Sequence, residues 1–83
     1  MKKILLYPLT TEKSIRMIEI ENKITFVVNR KAGKVEIAKA ITENFKSKVK
    51  EVNVQIINNK KVAFIRLKPE TPAIDIATKL GII

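Results

Sequence analysis

The sequence has no cysteine and no histidine, only two glycines, and eight acidic residues against seventeen basic ones. Without cysteine there are no disulfides, no thiol chemistry and no sulfur-ligated metal, a composition compatible with a reducing cytosol. Without histidine, zinc sites and histidine-dependent acid/base chemistry are excluded as well. A nucleophile would have to be serine, threonine or lysine with no histidine partner, and the carboxylates sit at helix starts or beside lysines instead of forming a converging pair. Gly33 and Gly81 lie at separate helix ends, which rules out a glycine-rich phosphate loop. No apolar run approaches the roughly 20 residues that span a bilayer. Met1-Lys2-Lys3, with only Ile4-Leu5-Leu6 behind it, is too short for a signal peptide. Catalysis therefore finds little support, and metal sites, bound cofactors and membrane insertion drop out of the reading.

What is present is positive charge on a chain able to fold. The 83 residues leave room for one domain, residues 1–83, with one modest core. A hydrophobic fraction of 46% separates it from a disordered basic tail. A net charge of +9 and a pI near 10.1 point to a polyanionic partner.

The element signals are local and follow one another without a linker or repeat. Lys3 to Tyr7 is a short edge strand closed by Pro8. Thr11 is placed as the N-cap of a first helix, with Glu12 against the positive end of its dipole and Ile15 and Ile18 on its buried face. Glu21-Asn22-Lys23 turns the chain into the strand TFVV, where Ile24, Phe26 and Val28 share one side and Thr25 and Val27 the other. A basic turn from Asn29 to Lys34 opens the central helix VEIAKAITENFKSK. Its apolar stripe is Ile37, Ala38, Ile41 and Phe45, and its outer row, Glu36, Lys39, Glu43 and Lys46, balances acid against base. The strands VKEVNVQII and KVAFIRL follow, joined through Asn58-Asn59-Lys60-Lys61. Both faces of the last strand are largely apolar, and a single helix cannot cover both. A third helix, with Thr71 as its N-cap, Pro72 at its first helical position and Gly81 at its C-terminal cap, is expected to supply the missing cover through Ala73, Ile76, Ala77 and Leu80. These elements predict an α+β, three-layer α/β/α sandwich with a small, mostly antiparallel four-stranded sheet, in the order β-α-β-α-β-β-α.

If the central helix is a right-handed crossover between parallel strands and the last strand returns between them, both basic turns fall at one end of the sheet. Arg30, Lys31, Lys34, Lys60 and Lys61 would gather there with no acid among them, as phosphate contacts demand. Lys48, Lys50, Arg66 and Lys68 would form a second basic group at the opposite end or on the sheet's edge, partly offset by Glu51 and Glu70. Tyr7, Phe26, Phe45 and Phe64 are read as core residues before stacking platforms, with only Phe64 on an ambiguous face. The residues by themselves describe a small α/β domain binding a structured polyanion, above all RNA. A free-standing RNA- or DNA-binding regulator and a small phosphate-ester or acyl-phosphate hydrolase remain as alternatives.

Pro8 with Thr11-Glu12-Lys13-Ser14, TFVVN, KAGKVEIAKAI, VKEVNV, KKVAFIRL and AIDIATKLGI stand in an order and spacing that cover almost the whole chain. In these phrases the sequence resembles the universal large-subunit ribosomal protein family numbered twenty-three, in the short form typical of archaea. The resemblance implies a cytoplasmic scaffold, a monomer within the ribosome, that binds large-subunit rRNA beside the polypeptide exit tunnel. It implies a neighbour, the small ribosomal protein numbered twenty-nine, and docking of the signal recognition particle, the translocation channel and, in bacteria, the trigger-factor chaperone. Glu12 matches the glutamate that contacts that chaperone in bacterial relatives. The rRNA contacts expected on this basis are Lys13, Arg30, Lys31, Lys34, Lys60, Lys61, Arg66 and Lys68. The long basic tunnel loop of bacterial members is replaced here by Asn58-Asn59-Lys60-Lys61, and a basic residue usual before the last strand's alanine is Val62.

Overall fold

The computed structural model describes residues 3–83. Met1 and Lys2, the head of the stretch read above as too short for a signal peptide, lie outside the described residues. Seven elements follow in the expected order: β1 (Leu5–Pro8), α1 (Glu12–Glu21), β2 (Lys23–Val28), α2 (Lys34–Phe45), β3 (Val49–Ile57), β4 (Lys60–Leu67) and α3 (Ala73–Lys79).

Local chemistry sets most of the boundaries. Thr11 holds extended backbone angles and its Oγ1 accepts the Ser14 amide at 3.1 Å, which starts α1. The Ser14 hydroxyl, buried, donates to the carbonyls of Leu9 and Thr11, so the cap is tied to the chain leaving β1. Asn22 ends the helix in the left-handed region, φ 53°. At Gly33 the backbone is extended and its amide donates to Glu36 Oε1 at 3.0 Å, half of a capping box that opens α2. That helix stops at Phe45, earlier than the periodicity suggested, because Lys46 turns left-handed at φ 52°. Gly81, at φ +74°, closes α3: its amide donates to Thr78 O and that of Ile82 to Ala77 O, both at 3.1 Å.

The sheet order is β1-β2-β4-β3, and every hydrogen-bonded pair is antiparallel. β2 and β3 thus run parallel on either side of β4, joined by α2. One face carries Ile24, Phe26 and Val28 of β2, Ala63, Ile65 and Leu67 of β4, and Val52 and Val54 of β3. Ile37 and Ile41 of α2 and Ala73, Ile76 and Ala77 of α3 close over that face in one continuous core. Phe26 and Phe45 pack with ring centroids 6.1 Å apart.

The position of α3 corrects the sequence reading. It joins α2 on the first face instead of covering the second. The second face carries Lys23, Glu51, Asn53, Gln55 and Arg66 beside Thr25, Val27, Val62 and Phe64, a surface too polar to bury the small apolar stripe of α3. Its cover comes from α1, whose Lys13 and Met17 stand beside Phe64, Asn53 and Gln55 and whose Glu21 reaches Arg66. The three layers are α2 with α3, the sheet, and α1.

Asn22 holds the end where these layers meet. Its Nδ2 donates to the carbonyls of Leu67, Lys68 and Thr71 at 3.1, 3.2 and 3.2 Å, and its Oδ1 accepts the Ala73 amide at 2.6 Å. One residue therefore terminates α1 through its backbone and, through its side chain, closes the end of β4 and caps α3. Asn22→Ala is expected to lower the unfolding free energy by about 2–4 kcal/mol, from the missing hydrogen bonds and the alanine penalty at positive φ. Asn22→Gly should cost less, since glycine accepts that backbone angle. Urea denaturation of both variants is the measurement, and a loss below about 0.5 kcal/mol for alanine, the scale of an ordinary surface substitution, would remove Asn22 from this role.

Candidate nucleic-acid interface

The basic turn between β2 and α2 is built by Asn29. Its side-chain Oδ1 accepts the Lys31 amide at 2.9 Å and its carbonyl accepts the Ala32 amide at 3.0 Å, the local bonding that favours asparagine in turns. Ala32 is fully buried and anchors the turn, which leaves Arg30 and Lys31 exposed. Across from it, the β3–β4 connection is tighter than the sequence suggested. Only Asn58 and Asn59, at φ 50° and 64°, lie between the strands, the positive angles that two-residue hairpins require, and Lys60 and Lys61 already belong to β4.

Pairing of Val28 with Lys61 brings the two turns together at one end of the sheet. Arg30 Nη1 donates to Asn59 O at 3.3 Å, and the Lys61 ammonium donates to Ala32 O at 2.5 Å and Arg30 O at 3.4 Å. The Lys60 ammonium sits 5.7 Å from the centre of the Tyr7 ring on the neighbouring edge of the sheet, a cation–π contact. A groove of about 470 Å³ opens here, lined by Arg30, Lys31, Lys60 and Lys61 with Asn29 and Asn59 and by no acidic residue. The cations do different jobs. Lys61 is half-buried and spends its ammonium on backbone carbonyls, so it ties the two turns to each other. Arg30, Lys31 and Lys60 are exposed on that tied surface.

Lys34 faces elsewhere. It opens α2 and lines a second groove with Lys13, Lys23, Asn53, Gln55 and Phe64. A cation gains nothing from the positive end of a helix dipole, so Lys34 is not there to stabilise its helix. At the opposite end of the sheet, the Lys68 amide donates to Lys48 O at 2.9 Å, which places these two lysines side by side. Arg66 is committed to ion pairs at the surface: its guanidinium lies 3.4 Å from Glu21 Oε1 and 3.9 Å from Glu51 Oε1. Glu12 is exposed in the first turn of α1, in a groove with Lys13, Arg16, Met17, Ile20 and Glu21. Lys23, which pairs with Glu21 at 3.4 Å, was not singled out from the sequence. The strand alternation that sets Asn53 and Gln55 opposite the core was the signal that pointed to its face.

Three exposed cations, Arg30, Lys31 and Lys60, thus share one acid-free end of the sheet of this small α+β domain, a surface suited to a polyanion. Residues 3–77 match the family described as Ribosomal protein L23. The chain is 42% identical over 82 residues to the large ribosomal subunit protein uL23 of Trypanosoma brucei brucei, an alignment covering 98% of this chain and 50% of that protein. It is 41% identical over 80 residues to the large ribosomal subunit protein uL23 of Methanothermobacter thermautotrophicus, covering 95% and 93% respectively. The chain thus spans half the length of the trypanosome relative and nearly all of the short archaeal one. It belongs to the L23 family of ribosomal proteins, structural and non-catalytic components of the large ribosomal subunit.

The two roles assigned to neighbouring lysines separate by stability. Lys61→Met, which keeps the apolar stem and removes the donor, is expected to cost about 1 kcal/mol. Lys60→Gln should stay within about 0.5 kcal/mol of wild type. Thermal unfolding of the two variants checks this, and equal melting temperatures would refute the structural role of Lys61.

Proposed function

We propose that the protein is a scaffold of the large subunit in the cytoplasmic ribosome that binds rRNA through the Arg30, Lys31 and Lys60 end of its sheet. Lys13 and Lys34 extend the contact over the second face, and Lys68 adds a contact at the far end. The observation that carries the reading is the acid-free groove whose walls are fixed by the Arg30 and Lys61 bonds across the two turns. Because those bonds order the turns before binding, less conformational entropy is lost when phosphates arrive. Lysine and arginine then neutralise phosphates and release counterions, while the fixed spacing selects the shape of a folded RNA over its base sequence. Arg66 contributes to this surface only through its ion pairs and not as a free cation.

On the same reading the protein sits beside the polypeptide exit tunnel, next to the small ribosomal protein numbered twenty-nine. Glu12, on the exposed start of α1 beside Arg16 and Ile20, offers a docking point for factors that meet the nascent chain, such as the signal recognition particle and the translocation channel. The two-residue hairpin after Ile57 keeps the chain at the rim, since it has no loop with which to reach inward.

Sedimentation of the tagged protein in lysate at low and moderate salt tests the scaffold role: co-migration with large subunits at both salts is expected, and a free pool at both would overturn it in favour of a free-standing regulator. For the interface, every phosphate left without its cation should flatten the dependence of log affinity on log salt by about 0.7–0.9. Arg30→Gln, Lys31→Gln and Lys60→Gln combined are expected to flatten it by about 2–3 on this scale, with Arg66→Gln near wild type. An unchanged slope in the triple variant would remove these residues from the interface.

A further inference from the structure

A groove of about 380 Å³, within the range of small-ligand clefts, spans the second face of the sheet and its β3 edge, lined by Lys13, Met17, Lys23, Lys34, Asn53, Val54, Gln55 and Phe64. Its chemistry differs from that of the turn cluster. Phe64 lies in the row Thr25–Phe64–Asn53 across the three strands, and its ring is half-buried at the floor. Thr25, its cross-strand partner, and Val62, two residues before it on the same face, are buried beside it, so the ring is braced on the sheet. Asn53 and Gln55, both exposed on the same face of β3, flank it with amides that donate and accept. No acid lines the groove. Lys23 is paired with Glu21, while the ion pairs of the described residues leave Lys13 and Lys34 uncommitted on its walls.

We infer that this face is a binding site for unpaired RNA: one base stacks on Phe64, its edge meets Asn53 or Gln55, and the flanking phosphates meet Lys13 and Lys34. Charge sets the occupant, because three lysines and no carboxylate line the walls. The aromatic floor sets its strandedness, because a base inside a duplex has no free face to offer a ring lying in a sheet. The inference rests on the reading above that the partner is RNA. It deepens that reading by adding a single-stranded element to a contact otherwise made through phosphates alone.

The test uses the whole chain with two fluorescent probes, a short unstructured oligouridine and a blunt RNA duplex of equal length, followed by anisotropy. Phe64→Leu keeps an apolar side chain in the row and is expected to weaken oligouridine binding about tenfold, the scale of one base stack, with duplex affinity unchanged. Phe64→Tyr keeps the ring and should retain affinity. Oligouridine affinity unmoved by Phe64→Leu overturns the inference. So does a labelled polyglutamate peptide that competes equally and shows the same Phe64 dependence, which would make the face an acidic-peptide site. Should Phe64→Leu fail to fold, photocrosslinking of wild-type protein to 4-thiouridine oligomers decides. Crosslinks within Val62 to Arg66 support the site, and crosslinks confined to Arg30, Lys31 and the hairpin overturn it. Co-migration with large subunits without Phe64 dependence would sink this inference and leave the scaffold reading intact. Phe64 dependence without co-migration would support the site and sink the scaffold.

Discussion

The return of β4 between β2 and β3 is the constraint from which the rest of the molecule follows. As the central strand it has both backbone edges paired, and its core-side residues Ala63, Ile65 and Leu67 are almost completely buried. Because β4 runs against both neighbours, its start must lie where β2 ends and its end where β2 begins. The first consequence is the meeting of the β2–α2 turn with the β3–β4 hairpin, which creates the basic end. The second is the meeting of Leu67 with Asn22, which creates the capped end. Both ends are by-products of one antiparallel insertion.

Each end is then locked by a polar group acting on backbone carbonyls. Asn22 does this in a sheltered position, where leaving carbonyls unpaired would be costly. Lys61 does it in a half-exposed one, where the gain is smaller. The ion pairs around Arg66 are more exposed still and add little to stability. Their effect is to cancel charge: Glu21 and Glu51 neutralise Arg66 and Lys23 where the sheet meets α1, and Glu36 and Glu43 alternate with Lys39 and Lys46 along the outer side of α2.

Element order, most caps and the core stripe of α2 were legible because they depend on residues within one or two turns of one another, although α3 starts one residue later than its sequence signal, with Pro72 and not Thr71 as N-cap. Thr11, Gly33 with Glu36, and Gly81 each act through bonds to near neighbours. The meeting of the two basic turns was legible too, since handedness and strand alternation leave few topologies. The face chosen by α3 was not. Its stripe fits either side of the sheet, and the choice turns on Asn22, whose partners lie 45 to 51 residues away. The separate fates of Lys60 and Lys61 were hidden for a related reason: adjacent residues of one type in a strand point to opposite faces, and which of them meets a carbonyl depends on the register with β2.

Net charge alone would allow a polyanion anywhere on this surface, and the placement of the eight acids narrows where one fits. Acids sit where cations serve the fold or solubility, and none lines the turn cluster or the groove over Phe64. The two acid-free regions lie on rigid backbone, one fixed by a tight hairpin and the other by the sheet itself. They differ in geometry. The turn cluster is an end groove walled by cations, suited to the backbone of a folded helix, while the second groove is lined by an aromatic ring, suited to a base that no helix can present. A folded RNA supplies both features where a helix gives way to a loop or bulge. A partner engaging both regions at once would therefore be fixed in orientation as well as in place, which is what a scaffold requires of its contact and what phosphate neutralisation by itself does not provide.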